Sequence, residues 1–157
     1  MANRRLHRLL SFTLLLTLPR CLKSLPNLGL AKEARDRIAR IDVIWFLGNA
    51  PQCAFEVEVS TSIYSGLLRM SDLLALVPAL KLDLFIVAPA TRRDAVMREL
   101  ARPTFQKIGL SEFCRFISVE QLITLIQKVE LFQGHVQPSI VQTIAEALPP
   151  EVPETLV

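Results

Sequence analysis

The chain is poor in the side chains on which most zinc and disulfide chemistry rests. Cys21, Cys53 and Cys114 are far apart, odd in number and show no C-x-x-C pairing. That argues against a zinc site or a disulfide framework and is compatible with a reducing compartment. His7 and His135 are the only histidines, and no surrounding motif suggests a Ser-His-Asp triad or a histidine metal cluster. Five glycines in 157 residues, against 51% hydrophobic residues, predict that most of the chain folds around the core of one ordinary domain. The leading apolar run, Leu9 to Leu18, is too short for a membrane-spanning helix, which needs roughly 20 residues.

Acidic residues are missing from one end. Residues 1–30 carry Arg4, Arg5, Arg8, Arg20 and Lys23 and no acid, a net of +5, so the whole chain's +3 leaves residues 31–157 at −2. The basicity therefore belongs to the leader and is weak ground for nucleic-acid binding by the folded part. Residues 1–18 have the basic start and apolar stretch of a secretory signal, but Pro19-Arg20-Cys21-Leu22-Lys23 offers no small-x-small cleavage site. The expected reading is a basic, leucine-rich extension over residues 1–29 on a cytoplasmic protein; an exported or membrane-surface protein is the competing one. At the other end, residues 133–157 read as a C-terminal helix and a proline-rich tail containing Pro149-Pro150-Glu151-Val152-Pro153.

Residues 30–132 form the expected domain. Leu30, Ala34 and Ile38 recur at helical spacing. Ile41 to Phe46 and Ala54 to Val59 read as strands around the turn signal Gly48-Asn49-Ala50-Pro51. With the turn centred near Asn49 to Pro51, Asp42 falls opposite Glu58 and Glu56 lies a step nearer the turn. Ser60, Thr61 and Ser62 offer N-caps for a helix whose apolar stripe is Ile63, Leu67, Met70, Leu74 and Val77, ending at Pro78. Asp83 to Ala88 is a nearly continuous apolar strand. Thr91 to Asp94 predicts the capped start of a helix limited by Pro103, Cys114 to Ile117 a strand, Ser118 with Gln121 the cap of a helix to about Phe132, and Ile140 to Leu148 a last helix. An antiparallel hairpin followed by right-handed strand-helix-strand crossovers gives an α/β (α+β) fold, a mixed sheet flanked by helices.

Strand alternation puts Glu56 and Glu58 on one face, about 7 Å apart along the strand, beside Asp42 on its neighbour. Carboxylates of this kind suit Mg²⁺. A bound ion would polarise a phosphate and lower the pKa of a water, and the remaining glutamate would serve as base if its pKa is raised. The plain alternative is that Glu56 and Glu58 occupy the solvated face of an amphipathic strand. The run IDVIWF…AFEVEVSTSIYSGLLRMSDLL resembles the core of the PD-(D/E)XK nuclease-like superfamily, and more closely its bacterial restriction-endonuclease-like members. In that superfamily an Asp opens the second core strand, E-x-K lies on the third, and a helix and a fourth strand follow.

The resemblance covers roughly residues 31–118. It implies catalytic Asp42, Glu56 and Glu58, with Asp42 and Glu56 ligating Mg²⁺ or Mn²⁺ and Glu58 at the position usually held by Lys. DNA is the implied partner, and a homodimer the assembly such enzymes often use. The helix and strand that should precede the Asp-bearing strand are replaced by the basic leader, although Glu33 could stand in for the acid of that helix. Two readings follow: a metal-dependent endonuclease-like domain hydrolysing DNA phosphodiester bonds, or a diverged or inactive copy of one, and a non-catalytic nucleic-acid- or protein-binding module that keeps the fold. Arg69 is expected either to face the acids and neutralise a phosphate or to form a salt bridge to a nearby acid such as Asp72. Tyr64 and Ser65, near the start of the same helix, are candidate phosphate contacts. Arg92, Arg93 and Arg98 read as a solvated helix face, and Trp45 as core packing.

Overall fold

A computed structural model describes residues 25–48, 50–60, 62–77, 82–131 and 138–149. The chain divides into units of residues 1–30 and 31–157, and every described helix and strand belongs to the second. These elements are α1 (Lys32–Ile38), β1 (Val43–Leu47), β2 (Ala50–Val57), α2 (Ile63–Leu76), β3 (Asp83–Ala88), a 3-10 turn (Ala90–Arg92), α3 (Arg93–Leu100), α4 (Pro103–Lys107), α5 (Leu110–Phe113), β4 (Cys114–Ser118), α6 (Val119–Leu131) and a 3-10 segment (Pro138–Ile144). The strands form one sheet in the order β1-β2-β3-β4. β1 runs antiparallel to β2, whereas β2, β3 and β4 are mutually parallel, so the expected mixed sheet flanked by helices is observed.

Both faces of the sheet are covered, which is why β3 is a continuous apolar run rather than an alternating one. On one face Cys53, Phe55, Phe85, Val87 and Ile117 meet Val119 and Leu122 of α6 and Val141 of the last 3-10 segment. Phe55 stacks on Phe85 with ring centroids 5.1 Å apart, and Trp45 tilts against Phe55 at 5.0 Å, so Trp45 is core packing as expected. The other face carries Ala54, Glu56, Leu84, Ile86, Cys114 and Phe116 by the ladder register. α2 packs against β2 and β3 there, with α3 beside it. Ile63, Leu67, Met70 and Leu73 are its buried apolar side chains. Beyond β4, Phe116 and Glu146 exchange backbone hydrogen bonds of 2.8 Å in each direction, which closes that edge with the C-terminal segment.

Several local expectations shift. Ala50 and Pro51 belong to β2 rather than to the turn, so the strand starts earlier and the pairing moves. Val43 faces Phe55, which carries Asp42 opposite Glu56, not Glu58. Pro51 is tolerated because β3 joins β2 only at Cys53, leaving one edge of β2 open at the proline. Trp45 pairs with Cys53 but Phe46 with Pro51, so Gln52 is an extra residue taken up in a bulge. Gly48, at φ +62°, supplies the left-handed backbone of the turn.

Thr91 makes no cap; it lies inside the 3-10 turn that precedes α3. The region between Pro103 and β4, for which the sequence predicts no element, holds the two short helices α4 and α5. The last expected helix is instead the 3-10 segment followed by the bridge at Glu146. Ser118 does cap α6, accepting the Gln121 N–H at 3.1 Å. Phe132, the expected end of that helix, and the tail from residue 150 lie outside the described residues.

Candidate functional site

The site grows from the far end of the hairpin. β1 begins at Val43, whose partner is Phe55, so this edge of β2 loses its partner strand two residues before its own end at Val57. There the Asp42 side chain takes over, its Oδ2 accepting the Val57 N–H at 2.9 Å. Asp42 thus continues the ladder with a carboxylate, satisfying an amide that would otherwise be left open. On the opposite edge of β2 the Glu58 N–H donates to the Val87 carbonyl at 2.8 Å, so the parallel pairing with β3 fixes the residues that follow Val57.

Glu56 and Glu58 project toward α2, not toward water. Their residues are 0% and 1% exposed, which overturns the solvated-strand alternative: the face is polar in sequence but roofed by a helix. A buried carboxylate needs partners, and Arg69 of α2 supplies them. Its Nε donates to Glu56 Oε1 at 2.8 Å, its Nη2 to Glu56 Oε2, and Nη2 also to Glu58 Oε1 at 3.0 Å. The planar fork matches the carboxylate and stays charged at any pH of interest. Of the two expectations for Arg69, the guanidinium does face the acids, but as the salt bridge of the second expectation, with Glu56 and Glu58 as its partners rather than Asp72. Asp72 is engaged by Arg37 of α1 at 2.9 Å instead.

The electrostatics are those of three acids and one internal cation. Burial is the main cause that pushes the Glu56 carboxyl up to about 7; Arg69 pulls it back, and the charges of Asp42 and Glu58 add to the rise. Arg69 itself is raised, chiefly by its bonds to Glu56. One guanidinium cannot neutralise every acid around it, and a proton on Glu56 near neutrality relieves part of the excess.

Two residues of this site escape sequence reasoning. Gly66 sits in α2 where a Cβ would lie 2.7 Å from Glu58 Oε1, 3.2 Å from its Cγ and 3.3 Å from its Cδ. The helix therefore has a bare patch of backbone against which the Glu58 carboxylate rests. A lone glycine within a helical pattern is the one signal the sequence offers. Arg92, read as part of a solvated face, is half-buried and donates through Nη1 to the Glu58 carbonyl oxygen. Arg93 is likewise committed, with Nε 2.8 Å from Glu146 Oε2, and this pairing holds the Glu146 carboxyl below its usual range. Arg98 is exposed, as expected.

The remaining candidates lie apart in their contacts. The Tyr64 ring packs 5.6 Å from that of Phe105 and lies under the Arg102 guanidinium at 5.3 Å. Ser65 is exposed, and its N–H bonds the Ser62 carbonyl at 3.0 Å. Glu33 is exposed on α1.

The donor set can be tested against Mg²⁺, which demands near-octahedral oxygens at about 2.0–2.1 Å. Both Glu56 oxygens and one Glu58 oxygen are already bonded by Arg69, and one Asp42 oxygen by the Val57 amide. Among the described residues no three His, Cys, Asp or Glu side chains gather to hold a metal ion. In this arrangement the residues do not fit the ion. No helix among the described residues is long and apolar enough to cross a membrane.

Comparison with known proteins points the same way as the topology. The family model described as the type II restriction enzyme NmeDI C-terminal domain matches residues 12–148. The type II restriction enzyme NmeDI of Neisseria meningitidis serogroup C is 38% identical over 87 residues, 54% of this chain and 24% of that protein. The match thus spans less than a quarter of that relative's length. No solved structure is significantly similar. With the family match extending over most of its length, the chain belongs to the type II restriction enzyme NmeDI C-terminal domain family.

Proposed function

We propose that this chain engages DNA as the C-terminal module of a restriction-type system, and that its carboxylate cluster is a PD-(D/E)XK-type centre held closed. The single observation that carries the closed reading is the Arg69 fork over Glu56, bridged to Glu58. Family membership supports DNA as the ligand class; net charge does not, since residues 31–157 sum to −2. The order of elements supports the superfamily assignment. Asp42 immediately precedes one strand, the E-x-E of Glu56 and Glu58 straddles the end of the next, and a helix and a parallel strand follow. Binding stands ahead of cleavage because the groups that would perform hydrolysis are bonded to one another.

A second reading, metal-dependent hydrolysis of DNA with Mg²⁺ or Mn²⁺ at Asp42 and Glu56 and with Glu58 as base, is favoured by one observation: Asp42 bonds the Val57 amide between the two buried glutamates, so the three acids meet at one end of β2. It requires Arg69 to leave both glutamates, where a DNA phosphate offers it an alternative anion. One experiment separates the two. Purified protein is titrated with labelled duplex DNA in the presence of chelator, and plasmid is incubated with Mg²⁺ or Mn²⁺ in parallel. Binding in chelator with no nicking supports the first reading. Nicking by wild type that Glu56→Gln abolishes establishes the second, and no binding with or without metal refutes both.

A further inference from the structure

We infer that Arg69 is the resident cation of this centre: a guanidinium tethered on α2 stands where a divalent ion would have to sit among Asp42, Glu56 and Glu58. The domain then builds and keeps its acidic cluster without metal. The inference rests on reading the cluster as a nuclease-type centre, and it concerns metal uptake rather than DNA.

Three features of the geometry support it. First, Arg69 donates to both oxygens of Glu56 and to Glu58 at once, so a cation entering between them meets a like charge and finds these oxygens occupied. Second, the acids cannot swing out to meet an ion elsewhere. Glu58 is held at its carbonyl by Arg92 and at its amide by Val87, Glu56 pairs with Ile86 of β3, and both side chains are buried beneath α2. Third, Arg69 reaches the cluster from the same chain, so its local concentration exceeds that of free divalent ions. Its withdrawal would remove the charge that bridges two fully buried carboxylates, an outcome that buried ion pairs resist.

The same geometry says what removing Arg69 should do. With methionine at the position, length and apolar volume are kept, the guanidinium is gone, and Glu56 and Glu58 share a face with Asp42 nearby. Carboxylates so placed accept Mn²⁺ or Mg²⁺. The substitution therefore creates affinity for metal where the wild type has little.

The test measures Mn²⁺ binding by calorimetry, with thermal unfolding in chelator and in millimolar MnCl₂, for the full chain, Arg69→Met and Arg69→Met/Glu56→Gln. The expected result is an unmoved melting temperature in the wild type and binding at least about tenfold tighter in Arg69→Met. That variant's melting temperature should rise with Mn²⁺, and the gain should vanish in the double variant. Wild type binding Mn²⁺ as tightly as Arg69→Met overturns the inference, as does an Arg69→Met protein that folds and takes up no metal. Should Arg69→Met fail to fold, the wild-type arm still decides: stoichiometric, stabilising Mn²⁺ uptake overturns the inference, and its absence upholds it. Loss of DNA binding with this metal pattern intact would refute the proposed function alone.

Discussion

Replacing Gly66 by alanine is a test in which two physical effects have opposite signs. In a helix interior alanine is favoured over glycine by about 1 kcal/mol, so propensity alone predicts a more stable protein. In α2 the new Cβ would stand 2.7 Å from Glu58 Oε1 and within 3.3 Å of both Cγ and Cδ. The whole end of the side chain must move, not one atom. Overpacking of this kind costs about 1–3 kcal/mol. Moving the carboxylate also breaks the 3.0 Å bond to Arg69, a charged hydrogen bond worth about 1.5–3 kcal/mol. The net expectation is a loss of about 1.5–5 kcal/mol, or about 3–20 °C in melting temperature for a chain of this size, read by circular dichroism in denaturant and on heating. In a Glu58→Ala background the Cβ meets no carboxylate, and the same substitution should return to its ordinary stabilising sign, giving a measurable coupling between the two sites. A Gly66→Ala protein more stable than wild type would refute the packing of Glu58 on the helix backbone.

Arg69→Met, which removes the cation bonded to both buried acids, should lower stability by about 3–5 kcal/mol in chelator, with a larger loss above neutrality than in mild acid; equal losses at both would count against the pair. Glu56 has a folded pKa raised from 4.5 to about 7, so its contribution is fully present below the unfolded value and is lost as pH rises through the folded one. Unfolding free energy should therefore decline between those limits by roughly 3 kcal/mol, and Glu56→Gln should flatten that decline in urea titrations across pH. Burial pushes the Cys53 and Cys114 thiols up to about 12, so mass spectrometry after brief alkylation should find both unmodified in the native protein and both modified once it is unfolded.

Much of the fold and site is legible where local chemistry decides the outcome. Asp83–Ala88 is the expected strand because nothing interrupts its apolar run, and Glu56 and Glu58 share a face because strand alternation leaves no choice. Arg69 is a candidate from sequence because it lies off the apolar stripe of α2. What escapes depends on the third dimension. E-x-E has the same appearance under solvent and under a helix, and only the packing of α2 decides its burial. The hairpin register is displaced because Pro51 looks like a turn residue until the open edge beside it is known. Gly66 and Arg92 act on Glu58 from other elements, and no spacing rule links them. The short helices α4 and α5 hold five and four residues, too few for helical periodicity to register.

The bulge at Gln52 has a bearing on how freely this hairpin can change. Because the extra residue is absorbed between Trp45 and Phe46, the ladder toward Val43 and Phe55 keeps its own count, whatever happens at the tip. Length changes around Gly48 should be taken up on the distal side of the bulge, leaving Asp42 anchored to the Val57 amide. The tip is thus a mechanically insulated handle, suited to a fluorophore or a short peptide insertion, and even removal of the unpaired Gln52 would leave Trp45 opposite Cys53, Phe46 opposite Pro51 and Asp42 on its amide.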